Sequence, residues 1–211
     1  MVKILGVCGS PRKGATEYAL SVAMEAAAAT GNVETKTVLL RGRNIQHCIA
    51  CDKCLRENQD RCMIYHDDMD ELYDIFYETD AIIIASPVYV MNYTATLAAY
   101  LNRFRSAYLK LVDNPAVFSH KVGSAIAVGG MRNGGQEMTI NAIHNFYNSF
   151  GLTIVNGGLG AYAGASVWSQ NKKAQGVKED ELGLKWLELI GRNTAEKAKI
   201  FHEYKQNRAT N

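Results

Sequence analysis

GVCGSPRKGAT, residues 6–16, is the turn on which the reading of the fold rests. It leaves a short apolar run, VKILGVC (2–8), and enters a helical pattern, YALSVAMEAAAAT (18–30). The chain repeats that alternation. Strand-like segments recur at VETKTVLL (33–40), AIIIAS (81–86), KVGSAIAVGG (121–130) and LTIVNGG (152–158). Helical segments lie between and after them, at 67–80, 94–112, 135–151 and 179–205. AIIIAS is apolar throughout, as a strand covered on both faces requires. Five strands alternating with five helices predict a parallel sheet with helices on both faces. LGAYAGASVWSQNKKAQG (159–176) reads as a loop-like excursion before the last helix.

Two doubly wound sheets fit that pattern, and the first turn separates them. A dinucleotide site needs G-x-G-x-x-G, whose third glycine lets helix and strand approach closely. GVCGSPRKGAT does not supply that spacing. The prediction is an α/β, flavodoxin-like, five-stranded parallel sheet of order 2-1-3-4-5. No repeat or linker divides the chain, so residues 1–211 are expected to form one domain, with a cysteine-rich insertion over 41–65 after the second strand.

The bulk composition narrows the function. With 47% hydrophobic and 21% charged residues, the chain has the balance of a globular domain. A net charge of +2 gives no reason to expect nucleic acid or an anionic membrane as partner. No apolar stretch approaches the roughly 18 residues of a membrane span, and MVKILGVCGSPRKG is no secretory signal. A cytoplasmic, reducing location is expected, where clustered cysteines bind metal or react more often than they form disulfides.

Three loops at successive strand ends carry ligand chemistry. GSPRKGAT (9–16) offers helix N-terminal amides, the hydroxyls of Ser10 and Thr16 and the guanidinium of Arg12, a set suited to phosphate. SPVYVMNY (86–93) offers backbone amides and an aromatic ring at a strand end. GGMRNGG (129–135) has four glycines in seven residues, which lets backbone approach a flat ring. Together they suit a flavin, which needs apolar cover and backbone groups at its polar edge.

HCIACDKCLRENQDRC (47–62) holds four of the five cysteines, at 48, 51, 54 and 62. Three at successive gaps of two resemble the clasp of an iron–sulfur cubane. Structural zinc also takes four thiolates, but usually from two separated C-x2-C pairs. Arg41, Arg43, Lys53, Arg56 and Arg61 surround the motif against Asp52, Glu57 and Asp60, and cationic neighbours raise a cluster's potential. His47 reads as a surface residue or a neighbour of the ligands, Cys8 as a small core residue of the first strand, and His144 as packing. Trp168 can cover a ligand or an interface, or anchor its own loop.

GSPRKGAT, ASPVYVMNY and GGMRNGG resemble the NADPH-dependent FMN reductase and flavodoxin-like superfamily. With the cysteine segment the chain resembles the iron–sulfur flavoproteins. That resemblance implies that Ser10, Arg12, Ala15 and Thr16 hold the FMN phosphate, and that Pro87, Val88, Tyr89 and Asn92, with Gly130 and Arg132, surround the ring. It implies Cys48, Cys51, Cys54 and Cys62 as ligands of one [4Fe–4S] cluster. It further implies a flavin-dependent oxidoreductase, a homo-oligomer (dimer or tetramer) in which cluster and flavin of neighbouring chains approach each other, ferredoxin as electron donor, and oxygen, peroxide or a quinone as acceptor. The alternatives are an NAD(P)H-dependent FMN or quinone reductase with structural zinc at the cysteines, and a zinc-stabilised interaction module without flavin.

Overall fold

The computed structural model describes residues 1–209, with side chains to Asn207. Its sheet is parallel throughout. β1 (Val2–Cys8) lies between β2 (Val33–Leu39) and β3 (Ala81–Pro87), and β3 pairs with β4 (Val122–Gly129). The order β2-β1-β3-β4-β5 is the one the first turn predicts.

The fifth position differs from expectation. It is shared by two segments, both paired to β4. β5 (Thr153–Ile154) meets Val122–Gly123, and β6 (Ala165–Trp168) meets Ile126–Gly129. Between them the chain leaves the sheet through turns at Gly158 and Gly160, both at positive φ. The fifth strand expected over 152–158 is therefore only two residues long, and its glycines lie in the exit from the sheet. β6 lies inside the excursion expected over 159–176, because four residues, alternating only at Ala165 and Val167, give too short a pattern to separate from loop.

Side chains alternate along the strands and build two cores. Leu5, Val7, Ile82 and Ile84 face α3 (Met69–Glu78), α4 (Ala95–Asn102) and α6 (Gln136–Phe150). Ile4, Cys8, Ile83 and Val128 face α1 (Ala15–Ala28), α7 (Ala174–Lys178) and α8 (Glu181–Ala209). Each fully buried aliphatic contributes roughly 1.5–3 kcal/mol relative to exposure. Cys8 belongs to this packing, and burial pushes its thiol up to about 11. His144 is also mostly buried, against Tyr147.

The helix expected over 94–112 is broken. α4 starts on Thr94, whose hydroxyl accepts from the Leu97 N–H at 3.2 Å. A 3-10 stretch, Arg103–Ala107, follows, and α5 (Tyr108–Asp113) completes the run. Tyr73, Phe76, Tyr100 and Phe104 pack around that stretch at ring separations of 4.4–5.6 Å. The cysteine segment between β2 and α3 contains no strand and one short helix, α2 (Lys53–Arg56), which periodicity did not show. No helix among the described residues is long and apolar enough to cross a membrane.

Candidate functional site

At the carboxyl end of the sheet the loops after β1, β3, β4 and β6 enclose a cavity of about 250 Å3. Such strand ends are where open α/β sheets take ligands. Ser10 is buried, its hydroxyl donating to the Arg12 carbonyl at 2.7 Å and accepting from the Arg12 N–H at 3.3 Å. That bond curls the loop so that the first turn of α1 opens on the cavity. No side chain caps α1, so its first N–H groups remain available to an anion. Thr94 welds this loop to the next, its hydroxyl donating to the Gly9 carbonyl at 2.6 Å. The Gly9 N–H in turn reaches the Ala85 carbonyl of β3 at 2.8 Å.

After β3 the chain makes a two-residue hairpin. Tyr89 and Asn92 exchange backbone hydrogen bonds at 2.8 and 2.9 Å, and Val90 and Met91 between them take φ of 50° and 60°. A β-branched residue rarely adopts that conformation, so the turn stores strain of about 1–3 kcal/mol per residue. After β4 the glycine loop wraps the buried Gln136 amide, which donates to the Met131 carbonyl and accepts from the Gly134 N–H. A Cβ on Gly129 would stand 2.4 Å from that amide nitrogen, which is why glycine is needed there.

Ser10, Arg12, Ala15, Thr16, Pro87, Val88, Tyr89 and Gly130 all line the cavity. Two of the expected residues do not. Asn92 turns its side chain to the Tyr93 N–H at 2.8 Å and lines a neighbouring groove. Arg132 pairs with the buried Asp180 at 2.5 Å and lies over the Trp168 ring. Trp168 is therefore an anchor. Its indole N–H donates to the Gly130 carbonyl at 2.9 Å, and Asp180 accepts from its backbone N–H. Sequence reasoning missed Lys13 and the wall formed by Ser169, Asn171 and Lys173. Gln170, Asn171 and Lys173 all sit at positive φ. The signal for that wall was the second half of the split strand, whose carboxyl end they follow.

The four clustered cysteines, 48, 51, 54 and 62, line one small pocket with Arg103, Arg105 and Ser106 of the 3-10 stretch. Ala50 and Asp52, each beside a cysteine, take positive φ and curl the loop. Backbone N–H groups of Ala50 and Ile64 donate to the sulfurs of Cys48 and Cys62 at 3.4 Å. Burial raises the Cys54 thiol, a backbone N–H from Leu55 lowers it, and the other three cysteines raise it further. The four sulfurs are thus electrostatic neighbours. Among the described residues, no group of three or more His, Cys, Asp and Glu side chains stands ready for a single metal ion. The donor set of four thiols with N–H groups turned to sulfur suits an iron–sulfur cluster.

The segment is pinned by charge. Arg103 is 2% exposed and pairs with Asp67 at 2.6 Å, while Gln46 and Tyr65 present carbonyls to it at 3.0 and 3.5 Å. Burial alone would raise the Asp67 carboxyl. Hydrogen bonds from Arg103 and from the Gln46 and Met69 N–H groups outweigh it and hold the group below the usual carboxylate range. A groove of about 550 Å3 shares Cys48 and Arg105 with the cysteine pocket and reaches Asn92 and Tyr93 of the loop after β3.

The NADPH-dependent FMN reductase family profile matches residues 2–165. Proteins named iron-sulfur flavoprotein are similar over most of the chain. One from Archaeoglobus fulgidus is 41% identical over 92% of this chain and 95% of its own. One from Methanocaldococcus jannaschii is 38% identical over 88% and 91%, and one from Methanosarcina thermophila 39% over 87% and 88%. Among solved structures, a flavone reductase superposes with a TM-score of 0.67 at 22% identity, covering 94% of this chain and 63% of that one. A WrbA-like flavodoxin from Agrobacterium tumefaciens gives 0.61 at 16%, covering 96% and 99%. These structural likenesses speak to the fold. The sequence relatives and the family profile go further: the chain is a flavin-dependent oxidoreductase of the NADPH-dependent FMN reductase family and belongs to its iron–sulfur flavoproteins.

Proposed function

We propose that this chain is an electron-transfer flavoprotein that holds one FMN in the strand-end cavity and one [4Fe–4S] cluster on Cys48, Cys51, Cys54 and Cys62. The observation that carries the reading is that four thiols line one pocket, from which a groove reaches Asn92 and Tyr93 of the same loop whose Pro87, Val88 and Tyr89 line the strand-end cavity. Bound together, such groups exchange single electrons at the cluster and one or two at the flavin.

The chain's own residues bind and orient. Ser10, Arg12, Ala15 and Thr16, with the open amides of α1, receive the phosphate. Pro87, Val88, Tyr89 and Gly130 cover the ring, with Asn92 and Arg132 fixing the turns beside it. Ser169, Asn171 and Lys173 close the far wall. The relatives' name supports the iron–sulfur assignment for this chain, and a reducing cytoplasm keeps its thiols available. A one-electron protein donor of the ferredoxin kind, an oxygen, peroxide or quinone acceptor, and a homo-oligomer complete the proposal.

The test is an absorbance spectrum of anaerobically purified protein, with iron, sulfide, zinc and flavin assayed on the same sample. About four iron and four sulfide per chain, with one FMN, is expected. Flavin with zinc and no sulfide would reduce the cysteine segment to a structural clip on a simple reductase.

A further inference from the structure

Arg103 is the bulkiest fully buried side chain among the described residues, and its position is unusual. Lys and Arg are almost never fully buried unless paired. Arg103 is paired, but the pairing is incomplete. One terminal nitrogen serves Asp67 and the Gln46 carbonyl, and the other reaches only the Tyr65 carbonyl at 3.5 Å. The third, Nε, is buried with no acceptor among the described residues. An orphaned guanidinium donor in a dry site is costly, so such groups ask for a partner. Arg103 lines the pocket of the four cysteines, whereas its counter-ion Asp67 is not among the lining residues. The carboxylate that does line it, Asp52, is paired with Arg105, so the charge left facing the pocket is that of Arg103.

We infer that Arg103 is the buried counter-charge of the sulfur cluster, its fixed positive charge set beside a group that gains negative charge on reduction. This rests on the cluster reading above. A cation beside the cluster favours the reduced form and raises its potential. A buried charge does so more strongly than an exposed one, because water screens it less. Arg105 supplies the internal contrast. It lines the same pocket, but its side chain is 36% exposed and is paired with Asp52 at 2.7 Å. Arg103 is a positioning residue in the same stroke, since its pairing with Gln46, Tyr65 and Asp67 ties the two ends of the cysteine segment to the 3-10 stretch.

The experiment is a mediated redox titration of the anaerobic holoprotein, following the cluster by EPR, with iron and sulfide measured on every sample. Arg103→Gln should lower the cluster's reduction equilibrium by about tenfold, or about 59 mV for a one-electron couple. Arg103→Lys keeps the charge and should restore most of the shift. Arg105→Gln should move it less. Arg103→Gln leaves Asp67 unpaired, so Arg103→Gln combined with Asp67→Asn is read beside it, with a shift of the same sign expected. A purely structural role would lower cluster content and leave the potential of the remaining cluster unchanged. That result in loaded Gln variants, or equal shifts for Arg103→Gln and Arg103→Lys, overturns the inference. Wild-type protein lacking iron and sulfide overturns the cluster reading itself, and this inference with it.

Discussion

The two pockets are held by different physics. The strand-end cavity is assembled from backbone. Its loops leave β1, β3, β4 and β6 at residues whose hydrogen bonds already belong to the sheet, and Thr94 and Gln136 lock the loops from inside. The cysteine pocket belongs to a segment with no strand, tied down by side-chain charge. Arg61–Asp74, Lys110–Asp60 and Arg105–Asp52 lie at the surface, where such pairs contribute roughly 0–1 kcal/mol each. Arg103–Asp67 is the buried one among the segment's described pairs. The sheet makes the first pocket whether or not it is filled. The second depends on one ion pair and on what its sulfurs bind.

The largest expected effect separates the regions outright. Cys54→Ala removes one of four thiols that share a pocket and should abolish iron and sulfide binding. FMN should stay near one per chain, because no cysteine lines the other cavity. Loss of both with the fold preserved, read by iron, sulfide and flavin assays beside circular dichroism, would make the pockets one unit and break the comparison.

Asp67→Ala comes next. It leaves the Arg103 guanidinium buried without its counter-ion, a change that costs roughly 3–5 kcal/mol. Urea unfolding should show a midpoint lowered accordingly, with the slope unchanged. A loss under 1 kcal/mol would put Arg103–Asp67 with the surface pairs. At the other pocket Arg12→Ala should leave stability alone and weaken FMN by roughly 10–100-fold, the range of one charge-assisted hydrogen bond. That loss should shrink as salt is raised, since Arg12 is exposed. Titration of apoprotein with FMN at two ionic strengths reads both.

The same contrast governs what the sequence disclosed. Glycine content, turn chemistry and apolar periodicity are local signals, and they located the sheet order, the open N-terminus of α1 and the loops at the strand ends, while the family resemblance named the eight residues that line the cavity. The wall of Ser169, Asn171 and Lys173 follows a four-residue strand interrupted from its partner segment, too short a pattern to show periodicity. Arg132 looked like a ligand group because it sits in a glycine loop. Its partner, Asp180, lies 48 residues away, and only the fold brings them together. Cysteine spacing announced the second pocket, but nothing in it pointed to Arg103. An arginine in an apparently continuous helix reads as surface, and its burial follows from the break of α4 into a 3-10 stretch beneath the cysteine loop.

The smallest effect tests the buried pair by pH. Asp67→Asn keeps the shape of the side chain and removes its charge. The native carboxyl lies below the usual range, because Arg103 and two backbone N–H groups outweigh the opposing effect of burial. A carboxyl lowered on folding adds stability that is complete above its unfolded pKa, about 3.9, and is lost as pH falls through the native value. The gap in stability between wild type and Asp67→Asn should therefore be flat from pH 7 to about 5 and close below about 4. Comparing the two proteins at each pH isolates Asp67 from Asp60, which is lowered as well: burial raises it, and the Lys110 and Arg61 side chains more than compensate. A gap that instead widens as pH falls from 7 towards 5 would mean that the carboxyl is raised on folding. The cysteine segment would then be held by its surface charges, and the two pockets would differ less than their geometry implies.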